Sequence, residues 1–225
     1  MPHGSLTLPA RLHLLAWDTV TGEIAGAAPL VRAGALTELA QRGLLLDDDG
    51  IATPADMDAL TDDPVLDGLL ELVRESRPHR WRDWVTLHAR VTADAVRQQL
   101  TADGYLAAER RRVLGVFPAA DHVLRRADVV RALQEEARRT LAGPLTAVSA
   151  QEAAATALAA AADLPTLAAP ADGDGREESY EGRVDQRFAE RVGGRVEELA
   201  ERSGAAGIVR ELCAALRATA VAAEH

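Results

Sequence analysis

The chain contains no lysine, and its one cysteine, Cys213, lies between Leu212 and Ala214 in an apolar helical pattern. A lone thiol excludes a disulfide framework and a cysteine zinc cluster, and Cys213 reads as small core filler. Aromatic residues make up only 3% of the 225 positions, so a core has to be assembled from leucine, valine and alanine. That composition favours close-packed helices over a β-sandwich. No segment approaches the ~20 uninterrupted apolar residues of a spanning helix. Residues 1 to 15 lack the basic start and small-residue cleavage pattern of a signal peptide. The expectation is a soluble, cytoplasmic protein.

Reactive constellations are missing as well. The sequence has no G-x-S-x-G elbow, no H-E-x-x-H, no G-x-x-x-x-G-K-[ST] and no G-x-G-x-x-G after a strand. Its six histidines, His3, His13, His79, His88, His122 and His225, show no ligand spacing. We therefore expect no catalytic residues, no metal and no cofactor, and a protein that works by binding.

What is present is an uneven charge. The net charge is −10, yet between Arg74 and Arg112 nine arginines face five acids, which is +4 locally and so −14 elsewhere. An acidic chain with one basic segment argues against a general polyanion binder and directs attention to that segment. Arginine in place of every lysine, with abundant alanine, points to a GC-rich coding sequence.

Read for periodicity, the chain is mainly α, a single globular helical domain over 1–225 with one or two small β-hairpins. Residues 6 to 17 are apolar enough for a first core helix, followed by a turn in "DTVTGE". Pro29 opens an amphipathic helix with its stripe at Leu30, Val31, Ala35, Leu36, Leu39 and Ala40, closed by Arg42 and Gly43. Leu44 to Leu46, the turn residues Asp47 to Gly50, and Ile51 then read as a hairpin. Three adjacent aspartates suggest a metal, but in this position they are a solvated turn. Asp63 before Pro64 marks a capped helix start. Helix is expected over 93–100, ended by Gly104. "YLAAERRRVLGVF" reads as two short strands around a charged turn, with Val113 to Phe117 the better strand. A long helix is expected over 123–141, an alanine-rich one over 147–162, and two more over 184–202 and 205–223. Residues 165–182 lack periodicity and read as an exposed loop.

Trp81 and Trp84 flank Arg82 and Asp83 at a spacing that shares one helix face. They could pack in the core, or sit with nearby arginines at a membrane interface.

Three segments in this order, "LVRAGALTELAQRGLLLDDDG" (30–50), "TDDPVLDGLLELV" (61–73) and "LTADGYLAAERRRVLGVF" (100–117), resemble the Golgi phosphoprotein 3 family in a short bacterial, actinobacterial form. The likeness spans roughly residues 5–222 and is mainly helical pattern after 143. It implies a peripheral membrane adaptor on the cytosolic face of a membrane, binding phosphatidylinositol 4-phosphate and, in eukaryotes, the tails of membrane enzymes. The family's headgroup site uses a tryptophan and several arginines. Of these, Arg32 and Arg90 match. The tryptophan's stretch, "GEIAGAAPL", has no aromatic, and the next arginine falls at Ala93. Arg97, seven residues after Arg90, could substitute on the same helical face. Paired guanidinium donors suit a phosphate monoester, so converging arginines suffice for such a site. Arg32 is expected on an exposed face beside Arg90; its bland role is a surface salt bridge with Glu38 or Asp48. A homo-oligomer is also compatible with the sequence.

A second reading takes the helix 93–103 and "GYLAAERRRVLGV" as the last helix and basic wing of a winged-helix module, with Arg110 to Arg112 on nucleic acid phosphates. The pI near 5.1 and the isolation of that cluster make nucleic acid the unlikely partner.

Limited proteolysis checks the element assignment. With little apolar area to bury, the 165–182 segment should be nicked first; first cleavage within 123–141 would show the helices to be misplaced.

Overall fold

The computed structural model describes residues 6–19, 22–23, 27–113, 117–167 and 181–223. Among these, nine α-helices and three two-stranded antiparallel ladders alternate in one hydrophobic core. The mainly α expectation is met. The helices are α1 (Leu8–Leu15), α2 (Ala28–Gln41), α3 (Pro64–Glu75), α4 (Trp81–Trp84), α5 (Ala89–Ala102), α6 (Ala127–Ala142), α7 (Ala150–Ala161), α8 (Glu181–Arg202) and α9 (Ala206–Ala223). The ladders pair β1 (Trp17–Asp18) with β2 (Gly22–Glu23), β3 (Leu45–Asp48) with β4 (Ile51–Pro54), and β5 (Leu106–Val113) with β6 (Phe117–Leu124). The first ladder, two residues long, exceeds the one or two hairpins read from the sequence.

The periodicity of α2 suggested one apolar stripe. Instead every residue from Leu30 to Leu39 is buried, because α1, α3, α5, α7 and α9 all pack on it. Small residues make that possible. A Cβ on Gly34 would stand 2.5 Å from Leu12 Cδ1 and 3.2 Å from Pro9 Cα, so α1 crosses α2 where glycine leaves room. The alanine-rich α7 is the second such helix, buried continuously over 153–159.

One acidic group carried inward by α2 is well partnered. Glu38 is buried, accepts from Leu8 N at 2.6 Å and pairs with Arg42, so a side chain of α2 satisfies an orphan amide at the start of α1. Other long side chains hold loop carbonyls. Gln134 Nε2 on α6 donates to Trp17 O at 2.9 Å, and Arg138 Nη2 donates to Thr166 O at 2.8 Å.

The Asp-rich hairpin acts as a clamp. Asp49 (φ 53°) and Gly50 (φ 84°) form its two-residue loop, with the positive φ at both positions that this turn needs. Asp47 Oδ1 accepts from Gly50 N at 3.0 Å and from Trp81 Nε1 at 2.8 Å. The first aspartate thus ties the hairpin to α4. Trp81 and Trp84 are both fully buried, which settles them as core residues and removes the membrane-interface alternative. Their spacing could not tell the two apart, since one shared helix face serves either. Asp63 caps α3 as expected, accepting from Val65 N and Leu66 N at 2.9 and 3.0 Å, and its second oxygen accepts from Gln99 on α5.

Three sequence assignments change. Val113 and Phe117 do not share a strand; they end β5 and open β6 and pair with each other, so Arg110 to Arg112 lie within β5. The long helix begins at Ala127, because the ladder runs to Leu124 and continues through Arg125 N donating to Tyr105 O at 2.9 Å. The apolar spacing of Leu124 and Ala127 matched a helix only by coincidence with the strand end. The helix assigned to 93–100 begins at Ala89, so Arg90 sits inside its first turn. Most of the 165–182 segment lies outside the described residues; its start is a 3-10 turn, Pro165–Leu167. Cys213 is buried, with its thiol pushed up to about 12 by desolvation, consistent with core filler.

Gly34→Ala should lower stability by roughly 1–2 kcal/mol, since overpacking exceeds the gain in helix propensity. A urea midpoint equal to or above the parent's would show that α1 yields easily at the crossing.

Candidate functional site

Arg32 enters the core from α2 and stops at the first turn of α5. Its Nη2 donates to His88 O at 2.6 Å, linking residues 56 apart in sequence. His88 is the N-cap residue of α5 in the left-handed region, φ 53° and ψ 26°. His is among the non-glycine residues that tolerate this conformation. The carbonyl so presented accepts from Val91 N at 3.0 Å as well as from Arg32. Ala89 N is occupied by Thr86 O at 3.2 Å, so the helix start is already partly satisfied.

The expectation of an exposed Arg32 is overturned: its relative exposure is 0%. A helix surrounded on every side offers no rim past which its stem could snorkel. Neither expected salt-bridge partner is used, since Glu38 serves Leu8 N and Arg42, and Asp48 is exposed on β3. Among the described residues Arg32 has no carboxylate partner, and its Nε and Nη1 are buried without an acceptor. Burial alone lowers its pKa from 12.5 to about 10, so it stays cationic at neutral pH. A buried, uncompensated guanidinium is costly, and its field is strong where the local dielectric is low.

Arg90 stands two residues beyond His88 and is exposed. The first turn of α5 therefore carries one cation at the surface and has a second beneath its N-cap residue. Its dipole also favours an anion there. Arg97 lies about 10 Å further along the helix by its rise per residue. It forms an ion pair with Asp94, Nη1 to Oδ1 2.7 Å. Ala93, where the resemblance places another arginine, is buried against the core. Sequence reasoning missed His88, because its contribution is a backbone carbonyl and the left-handed turn that aims it. Among the described residues no group of three or more His, Cys, Asp or Glu could hold a metal.

The family model for Golgi phosphoprotein 3 (GPP34) matches residues 8–216, from the first residue of α1 into α9. The chain belongs to the Golgi phosphoprotein 3 family. No curated protein matches it. For this family member, the helix-to-hairpin junction at 37–50 is both its most specific sequence likeness and the clamp that seats Trp81.

Arg32→Met should fold at least as stably as the parent, within about 1 kcal/mol or better, because an apolar isostere removes the buried charge and His88 O keeps its bond to Val91 N. Arg32→Ala should lose ~2 kcal/mol or more through the cavity it leaves. Equal losses in both variants, measured by thermal denaturation, would mean that the guanidinium itself holds the fold.

Proposed function

We propose that this protein is a peripheral membrane adaptor that reads an anionic, phosphate-bearing lipid headgroup at the first turn of α5, acting by binding and not by catalysis. The observation that carries this reading is the buried cation of Arg32, without a carboxylate partner among the described residues, under the N-cap of the helix that exposes Arg90. Arg90 makes the outer contact. Arg32 acts from beneath, by its field and by fixing the helix start through His88 O. Arg97 reaches a headgroup only by leaving Asp94, and serves as a second-tier contact.

Membership of the Golgi phosphoprotein 3 family makes phosphatidylinositol 4-phosphate the first candidate lipid and membrane-protein tails the candidate cargo. No helix among the described residues is long and apolar enough to cross a membrane, which fits attachment to its cytosolic face from outside the bilayer. The acidic pI near 5.1 disfavours nucleic acid as a partner.

Vesicle flotation tests the proposal. Vesicles containing phosphatidylinositol 4-phosphate should carry the protein, neutral phosphatidylcholine vesicles should not, and rising salt should weaken the binding. Arg90→Ala should reduce affinity roughly ten- to a hundred-fold, the equivalent of about 1.5–3 kcal/mol for one charged contact. Arg32→Met should reduce it too, and the two losses should not simply add if both groups serve one phosphate. Equal recovery on neutral vesicles, or parent-like binding by both variants, would remove the proposed site.

A further inference from the structure

Among the described residues Val91, at 64% exposure, is one of the few large apolar side chains left in solvent, and it stands in the first turn of α5 beside Arg90. A single exposed valine is ordinary on a protein surface. This one belongs to a turn that departs from the usual chemistry of a helix start. The first turns of α3, α6 and α7 each carry an acid, and α3 and α7 have capping side chains, whereas α5 has neither acid nor side-chain cap. Arg90 sets a cation where the helix dipole disfavours one. Val91 adds a β-branched side chain that costs helix propensity and gains no burial. Such conflicts between local preference and the residue present gather where a surface is used. A separate observation marks the same turn: the guanidinium of Arg32, wholly buried and with Nε and Nη1 lacking acceptors, ends beneath it.

One carbonyl fixes the placement of both groups. His88 O accepts from Arg32 Nη2 at 2.6 Å and from Val91 N at 3.0 Å, so the valine is held over the buried cation by the backbone of the turn. Further along the same side of α5 come Asp94 and Gln98, both exposed. That side is therefore apolar only at its first turn. A helix lying flat on an anionic surface would press Asp94 against it. One that meets the surface by its N-terminal end brings Arg90 and Val91 there together and leaves Gln98 about 10 Å further along the axis.

We propose, as an extension that rests on the headgroup reading above, that Val91 is the bilayer contact of this site. It enters the boundary between headgroups and acyl chains while Arg90, one residue before it, holds the phosphate, and α5 meets the membrane end-on. Phosphate binding alone does not separate a lipid from a soluble phosphate ester. An apolar side chain beside the cation does, because its methyl groups gain burial only where acyl chains lie under the headgroups. That part of the binding is also indifferent to salt, unlike the contact of Arg90.

Two ligands test this on the full chain: phosphatidylcholine vesicles containing phosphatidylinositol 4-phosphate, and soluble glycerophosphoinositol 4-phosphate. Val91→Ser should weaken vesicle binding roughly three- to ten-fold, a part of what full burial of a valine returns. The ratio of vesicle affinity to soluble-ligand affinity should fall by the same factor, while the salt dependence on vesicles stays that of the parent. Parent-like vesicle affinity or an unchanged ratio would overturn the proposal. Arg90→Ala should weaken both ligands; if it does and Val91→Ser does not weaken vesicle binding, only the bilayer contact is lost. Should Arg90→Ala float as the parent does, the headgroup reading falls and the bilayer contact with it. Depth can be read directly, since Cys213 is buried and an environment-sensitive fluorophore will label Val91→Cys or Gln98→Cys selectively. Emission from position 91 should shift to the blue on these vesicles and not with the soluble ligand, and position 98 should shift with neither. No shift at 91, or equal shifts at the two positions, would overturn end-on contact through Val91.

Discussion

The constraint on which the structure depends is the complete enclosure of α2. A helix surrounded on all faces cannot use the usual division into an apolar and a polar side, so the polar groups it carries are either partnered inside the protein or buried at a cost. Glu38 answers with the amide of Leu8 and the guanidinium of Arg42, which fixes α1 against α2. Arg32 answers with one carbonyl, that of His88, which fixes the start of α5. Gly34 sets how closely α1 can cross. The positions of α1, α5 and the first turn that carries Arg90 all follow from the side chains of this one helix.

Much of the fold was legible because local chemistry and tertiary role coincide. Asp63 before Pro64 caps α3 in any context, and Gly43 (φ 72°) ends α2 as a glycine past a helix C-terminus should. The Asp-Gly turn closed its hairpin by backbone preference alone. Legibility ended where identical spacing serves two structures. Leu124 and Ala127 suit a helical stripe, yet a ladder to Leu106 claims the former. The burial of Arg32 was not legible. Periodicity measures one face against another, and α2 has no solvent face to contrast. The tryptophans were ambiguous for a related reason: an indole with a polar edge suits an interface or a core, and only Asp47, 34 residues earlier, decides for the core by accepting from Trp81.

The absence of lysine takes on structural meaning beside the loop contacts. Arg74 Nη2 donates to Asp56 O at 2.6 Å and to Ala59 O at 2.8 Å, holding the segment that leads into α3. Arg195 on α8 reaches Thr140 O and Gly143 O at the end of α6, where helical carbonyls lack partners. Guanidinium suits these tasks because its planar donors can engage more than one carbonyl, while the stem packs on apolar surface. Arg74 and Arg195 are turned inward by the carbonyls they hold. Exposed Arg90 at a helix start differs from them for that reason.

Burial of Arg32 changes what a headgroup site here can be. An exposed guanidinium would act through direct contact in water, where its attraction is screened within about 10 Å at ordinary salt. Beneath the N-cap of α5 its charge acts through a low-dielectric interior on whatever occupies the surface turn above, and little counterion can reach it to dilute the effect. In the proposed reading, an anion at the turn would offset by attraction part of the desolvation that the enclosed cation bears in the free protein. The acidic remainder of the chain works in the opposite sense, repelling anionic surfaces from other directions. Under the proposed headgroup reading, attraction at one turn set against repulsion elsewhere would favour a single orientation on a charged membrane, with the start of α5 facing the headgroups.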